Sequence, residues 1–197
     1  IDLYEREVVW PGGHPAAAGH LAYLPGGGLY HAALGDFLAT VSNKFAGVFF
    51  TGPGPVRMEN QVVRWVADVV GYPASAGGNL ASGGSLANLT AITAAREAHG
   101  LKAADLASSV VYLSAQAHHC IHKALRIAGM GEAPIRTIPT DERFRMRPEA
   151  LAAAIARDRA EGLRPWLIAA TAGTTDAGAV DPLEAIAGIA EREGCWF

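Results

Sequence analysis

Val110-Val111-Tyr112-Leu113-Ser114-Ala115-Gln116-Ala117-His118-His119-Cys120-Ile121-His122-Lys123 is the stretch on which the reading of the fold turns. Residues 110–114 are β-branched and apolar, the composition of a buried strand. Residues 119–128 follow with a helical pattern that Gly129 closes. A strand passing into a helix through a short polar turn is the unit from which parallel sheets are built. The same alternation continues downstream. Residues 134–138 read as a short strand, 148–158 as a helix with Pro148 in its first turn, and 166–171 as a further buried strand. Asp181-Pro182-Leu183-Glu184 then opens a helix with an acidic cap, proline at the first position and glutamate three residues after the cap.

Upstream, a glycine-rich segment at 77–84 leads into a strong helical pattern over 85–99, closed by Gly100. Val62, Val63, Val66, Val69 and Val70 fall at helical spacing and predict one buried stripe on a helix over 59–70, ended by Gly71-Tyr72-Pro73. A helix over about 30–43 precedes it, and residues 1–30 are turn-rich, with Pro11-Gly12-Gly13 and Pro25-Gly26-Gly27-Gly28 as breakers. The expected fold class is therefore α/β: a mostly parallel sheet with helices on its faces.

Composition narrows the function classes. Of 197 residues half are hydrophobic and 18% charged, as in a soluble globular chain, and the formal charge of −3 offers no basic footprint for nucleic acid or a membrane surface. No apolar run approaches the roughly 20 residues of a spanning helix. The longest, 46–50 and 166–170, have the length of buried strands. Two distant cysteines, Cys120 and Cys195, argue against a disulfide framework and for a reducing, cytoplasmic setting. The N-terminus lacks a basic segment leading into an apolar one, so no signal peptide is expected.

Three segments carry the chemistry. Ser82-Gly83-Gly84-Ser85 stands at a helix start, where unpaired amides attract phosphate and glycines allow close approach. A plain glycine-rich loop with Ser85 as the helix cap fits equally. It matches neither the Walker pattern nor Gly-x-Gly-x-x-Gly, which disfavours nucleoside triphosphates and dinucleotides. The second segment is Gln116-Ala117-His118-His119-Cys120-Ile121-His122 at a strand end, where ligands collect in parallel sheets. A histidine there could stack on an aromatic ligand or move protons. Zinc is the weaker alternative, with His118 and His122 on one helix face, because no second cluster completes a tetrahedral set. Incidental surface histidines are a third reading. The last segment, Ala170-Thr171-Ala172-Gly173-Thr174-Thr175, again follows a strand and reads as a polar pocket wall or as a simple turn. Asp181 is assigned to helix capping.

Taken together, His14-Pro15, Leu21-Ala22-Tyr23-Leu24-Pro25, Glu59, the run from Ser82 to Leu89 with Ala95-Arg96, Gln116-Ala117-His118, Lys123-Ala124, Gly173-Thr174-Thr175 and Asp181-Pro182-Leu183 resemble the group II pyridoxal phosphate (PLP)-dependent amino-acid decarboxylases, in order and in spacing. The resemblance implies a fold type I PLP-dependent large domain, with residues 1–58 as a substrate-entrance segment and helix and 59–197 as part of the PLP-binding domain. It implies that Gly84 and Ser85 hold the phosphate of pyridoxal 5'-phosphate, that His118 stacks on the ring and serves catalysis, and that Thr175 lies beside the ring. Tyr23 and Gly26 would line the substrate entrance, and Gly26 departs from the hydroxyl residue of aromatic decarboxylases. A homodimer is the implied assembly.

Cys195-Trp196-Phe197 reads as the opening of a further strand. The resemblance places the pyridine-pairing aspartate and the Schiff-base lysine after it, and Lys44, Lys102 and Lys123 match other positions. The expected activity is decarboxylation of an L-amino acid, aromatic favoured, by the full-length protein, with this segment alone inactive. Related PLP chemistries (retro-aldol lyase, aldehyde synthase, aminotransferase) and a non-enzymatic metal- or ligand-binding module remain the alternatives.

Overall fold

Strand β1 (Ser109–Ser114) is buried at every position, as its uninterrupted apolar run requires. Strands β2 (Ile135–Ile138) and β3 (Arg164–Ala169) pair with it on either side, both parallel, in the order β2-β1-β3. The computed structural model describes residues 1–21 and 26–197, and the sheet belongs to the second of two units, Ile1–Leu80 and Ala81–Phe197.

Alternation along β1 sorts the core of the second unit into two layers. Val111 and Leu113 join Ile92 and Ala95 of α4 (Gly84–Ala98) and Ala124 and Leu125 of α5 (Cys120–Ile127). Val110 and Tyr112 face the other way, with Leu151 and Ile155 of α6 (Pro148–Ala160) and Ile186 and Ile189 of α7 (Leu183–Glu193). The expected sheet with helices on both faces is what forms. Each of these buried valine, leucine and isoleucine side chains contributes roughly 1.5–3 kcal/mol of transfer free energy.

The ladder has one irregularity. Val110 pairs with Pro165 but Val111 pairs with Leu167, so Trp166 is an extra residue in β3. Pro165 has no N–H to donate, and such residues are tolerated at bulges. The bulge turns both Trp166 and Leu167 toward the α4/α5 layer, whereas Ile168 returns to the α6/α7 layer. Residue 171 lies outside the strand, contrary to the expected 166–171 range, because a side chain takes the Thr171 N–H. Beyond α7, Trp196 pairs parallel with Leu167, donating to the Trp166 carbonyl at 2.7 Å and accepting from Ile168 at 2.8 Å. The expected strand opening is thus seated on the free edge of β3.

A buried charge lies under the sheet. Asp158 of α6, 0% exposed, accepts the Tyr112 hydroxyl at 2.8 Å and Arg136 of β2 through Nε and Nη2 at 2.9 and 2.7 Å. One carboxylate thereby ties a helix to two neighbouring strands.

The first unit holds α1 (Asp2–Tyr4), a π-helical turn at Glu5–Val9, α2 (Tyr30–Ser42) and α3 (Pro53–Val70). Helix α3 starts at Pro53, where proline suits the first helical position, and ends at Gly71 in the left-handed region with φ 89°. The valine stripe on α3 is not buried as expected: Val62, Val66, Val69 and Val70 are exposed, Val63 is half-buried, and Ala67 alone on the helix is fully buried. Periodicity marks the apolar face of a helix but not whether anything packs against it. The apolar run at 46–50 is likewise exposed and forms no strand, passing into a turn at 49–51. No helix among the described residues is long and apolar enough to cross a membrane.

Candidate functional site

Helix α4 begins at an uncapped turn. No side chain closes it, and the amides of Leu86 and Ala87 both return to the Gly83 carbonyl at 3.1 Å, leaving no acceptor for the amides of Gly84 and Ser85 among the described residues. Gly83 sits at φ 147°, a conformation side chains rarely adopt. A Cβ built on Gly83 or Gly84 meets nothing within 4 Å, so the turn is open to a ligand. Ser85 is exposed and does not cap the helix, contrary to the capping alternative; the cap position falls on Gly83. An open, uncapped helix start with a positive end and free donors fits a phosphate group.

The second segment follows β1. The Gln116 amide donates to buried Ser114 Oγ at 3.3 Å, turning the chain at the strand end. His118 stands just ahead of α5, half-buried, and its ring lies 4.1 Å from that of His119 at 41°. The Cys120 amide donates to His118 Nδ1 at 3.2 Å, which fixes the ring's orientation. Because His118 precedes the helix, it does not share a helix face with His122. Among the described residues no three His, Cys, Asp or Glu side chains are grouped so as to hold a metal ion.

The third segment forms a closed loop after β3. Ala172 pairs antiparallel with Val180, and Thr174, 3% exposed, accepts the Ala179 amide on Oγ1 at 3.0 Å while its own amide bonds the Ala179 carbonyl at 2.9 Å. Thr175, next in sequence, is exposed at the turn. Asp181, 2% exposed, accepts the amides of Met146 at 2.7 Å and Thr171 at 2.8 Å. It makes no side-chain cap on α7, so its role is structural but different from the capping expected.

Parallel pairing sets the relation among these parts. Leu113 of β1 stands opposite Ala169 of β3, so the segments bearing His118 and Thr175 leave adjacent strands at the same edge of the sheet. Helix α4 packs on α5, and a cleft of about 190 Å³ between them is lined by Ser85, Leu86, Leu89, Cys120, Lys123 and Ala124. Ser85 is thus brought against the first turns of the helix that His118 precedes. Gly26 is exposed in the first unit with open space around it, and Tyr23 lies outside the described residues. Sequence reasoning did not single out Asn88 or the true partners of Asp181, and it named Thr174 only as part of the 170–175 segment. Thr174 was signalled only by its place beside Thr175, and Asn88 by its place one turn into α4.

An uncapped helix start, a hydrogen-bonded imidazole and a hydroxyl-bearing loop in an α/β protein are the parts that a phosphorylated cofactor requires. Residues 11–197 match the family described as the pyridoxal-dependent decarboxylase conserved domain. Over 177 residues the chain is 39% identical to aromatic-L-amino-acid decarboxylase of Bacillus atrophaeus, covering 90% of this chain and 36% of that protein. It is 35% identical to human cysteine sulfinic acid decarboxylase, covering 85% of this chain and 35% of the relative. A crystal structure of Oryza sativa TDC with PLP and tryptamine superposes with a TM-score of 0.87 at 33% identity, covering 98% of this chain and 42% of that one. The chain belongs to the pyridoxal-dependent decarboxylase family, and it spans little more than a third of the length of these curated relatives. Pyridoxal phosphate is the cofactor of that family, as the residues led one to expect, and the open turn at Gly83-Gly84-Ser85 fits its phosphate.

Proposed function

We propose that this protein decarboxylates an L-amino acid to the corresponding amine and CO2 with pyridoxal phosphate, and that its substrate is aromatic. What supports the reading is that the segments bearing His118 and Thr175 leave adjacent parallel strands at the same end of the sheet, while Ser85 lines a cleft against α5, the helix that His118 precedes. The amides of Gly84 and Ser85, with the Ser85 hydroxyl, bind the phosphate. His118 would orient the ring by stacking on it, and Thr175 would lie beside the ring. Pyridoxal phosphate, when bound, supplies an electron sink for the charge left on Cα as the carboxylate departs. Tyr23 and Gly26 belong to the substrate entrance in this reading, within an entrance segment of residues 1–58 ahead of a PLP-binding part of 59–197.

The aromatic preference draws on the Bacillus atrophaeus relative and the rice structure with tryptamine. The protein works as a soluble cytoplasmic homodimer. The exposed apolar stripe of Leu34, Phe37, Leu38 and Val41 on α2, each between 43% and 68% exposed, supports an assembly in which that face is covered. Residues 1–197 alone are inactive, since Lys44, Lys102 and Lys123 do not stand at the family's Schiff-base position.

The test offers the full-length protein carboxyl-labelled phenylalanine, tyrosine, tryptophan, cysteine sulfinate and 2,4-diaminobutyrate with pyridoxal phosphate. Label is released as CO2 from an aromatic substrate, and the amine accumulates. Release only from cysteine sulfinate or diaminobutyrate would overturn the aromatic assignment, and no release from any would overturn decarboxylation. A second reading has its own support, because phenylacetaldehyde synthase of Arabidopsis thaliana is 32% identical over 203 residues. Aldehyde in place of amine among the products would establish it.

A further inference from the structure

Asn88 lies one helical turn beyond Gly84 in α4, and its side-chain amide has two donors. One goes to the Gly84 carbonyl at 2.7 Å. The other crosses to the neighbouring helix and meets Cys120 Sγ at 3.6 Å, a distance suited to the larger sulfur atom. Cys120 is the first residue of α5, 4% exposed, and its own amide donates to His118 Nδ1. Two separate groups of Cys120 therefore link the turn to the ring: its Sγ receives Asn88, which also holds the Gly84 carbonyl, and its backbone amide donates to the imidazole. Local back-bonding alone does not account for it. Thr90 and Thr93 bond the carbonyls of Leu86 and Leu89 four residues back in the same helix and reach nothing else, whereas Asn88 spends its second donor on another element.

This link has a chemical consequence at the ring. A nitrogen that accepts a hydrogen bond carries no proton, so in neutral His118 the proton resides on Nε2. Nε2–H is then the ring's remaining donor, and Nδ1 is withdrawn from any ligand.

We propose that Asn88 and Cys120 are positioning residues that hold His118 in its Nε2-protonated form and in register with the Gly84-Ser85 turn. Filling the phosphate site and aligning the imidazole thereby become one event. The proposal rests on the reading that Ser85 and His118 serve a single bound cofactor. Neither Asn88 nor Cys120 touches that cofactor. They act through the turn and the ring they join.

The test uses the full-length protein labelled with ¹⁵N-histidine. In the cofactor-free wild type, long-range proton–nitrogen correlation at a pH where the ring is neutral shows His118 protonated on Nε2. Asn88→Asp, which keeps the shape but loses the donor, and Cys120→Ala, which loses the acceptor, both give a mixture of ring tautomers. Both also weaken pyridoxal phosphate binding roughly tenfold, the equivalent of one hydrogen bond. Cys120→Ser, which restores an acceptor, recovers most of the affinity and the single tautomer. A wild-type ring protonated on Nδ1 overturns the proposal. So does unchanged affinity and tautomer in both variants while Ser85→Ala still weakens binding. If Ser85→Ala leaves cofactor affinity unchanged, the underlying reading of the site falls instead.

Discussion

Asp181 Oδ1 accepts the backbone amide of Met146 at 2.7 Å, joining residues 35 apart in sequence through one buried carboxylate. Its second oxygen takes the amide of Thr171, the residue at which the loop bearing Thr174 and Thr175 begins. Replacement by alanine strands two amides that have no other acceptor, at about 1–3 kcal/mol for each one left buried. Asp181→Ala therefore lowers the urea midpoint of unfolding substantially. Asp181→Asn, which keeps one good acceptor, loses about half as much. Equal stability of all three proteins would show that the carboxylate does not organise the loop.

The triad of Tyr112, Arg136 and Asp158 makes a second expectation. Burial, and then the bond to Asp158, raises the Tyr112 hydroxyl far above its usual range, so it stays a donor to the carboxylate. Tyr112→Phe removes the hydroxyl's bond to Asp158 and costs about 1–3 kcal/mol. Arg136→Met leaves a buried carboxylate without its cation and costs on the order of 3–5 kcal/mol. Because both changes act on Asp158, the double variant departs from the sum of the singles, which denaturant melts would measure. Strict additivity would contradict the shared network.

Cys195 offers a pH-dependent readout. Burial pushes its thiol up to about 11, against an ordinary thiol near about 8.5. The nucleophile is the thiolate, so a raised value means slow alkylation below it. Iodoacetamide labelling of Cys195, followed by peptide mass mapping, rises about tenfold per pH unit from pH 8 and levels only near pH 11. A plateau already at pH 9 would show an ordinary thiol.

Gly83 and Gly84 separate strain from binding. Gly83→Ala places a side chain at φ 147° and loses about 1–3 kcal/mol of stability. Gly84→Ala lies in the first turn of a helix with open space at its Cβ, so stability is unchanged or gains up to about 1 kcal/mol. Its methyl group nevertheless projects from the backbone proposed to bind the phosphate, and on that proposal pyridoxal phosphate affinity falls. Gly84→Ala with full affinity would remove this turn from the phosphate site. Calorimetry and a fluorescence titration on the same preparations give both numbers.

The sheet was legible because its strands are short apolar runs set between helices with clear stops at Gly129, Gly194 and similar residues. The positions of Ser85 and His118 at element starts followed from the same punctuation. What the residues could not reveal were relations across the sequence. Nothing local to Asp181 marks Met146 as its partner, and its Asp-Pro context imitates a helix cap. Asn88 reads as an ordinary helix residue until Cys120, 32 positions away, is seen beside it. The α3 valines show the converse limit, since their spacing names an apolar face that the described chain leaves exposed.

The parallel order of β2, β1 and β3 also bears on descent. Backbone pairing and two apolar layers sustain the platform, while the segments bearing His118 and Thr175 hang from one rim. Changes along that rim barely disturb the beams beneath it, so lineages can trade one substrate for another without rebuilding the scaffold. Relatives named for cysteine sulfinate, diaminobutyrate and aromatic amino acids, each a comparable distance from this chain, are what such modular drift would leave behind.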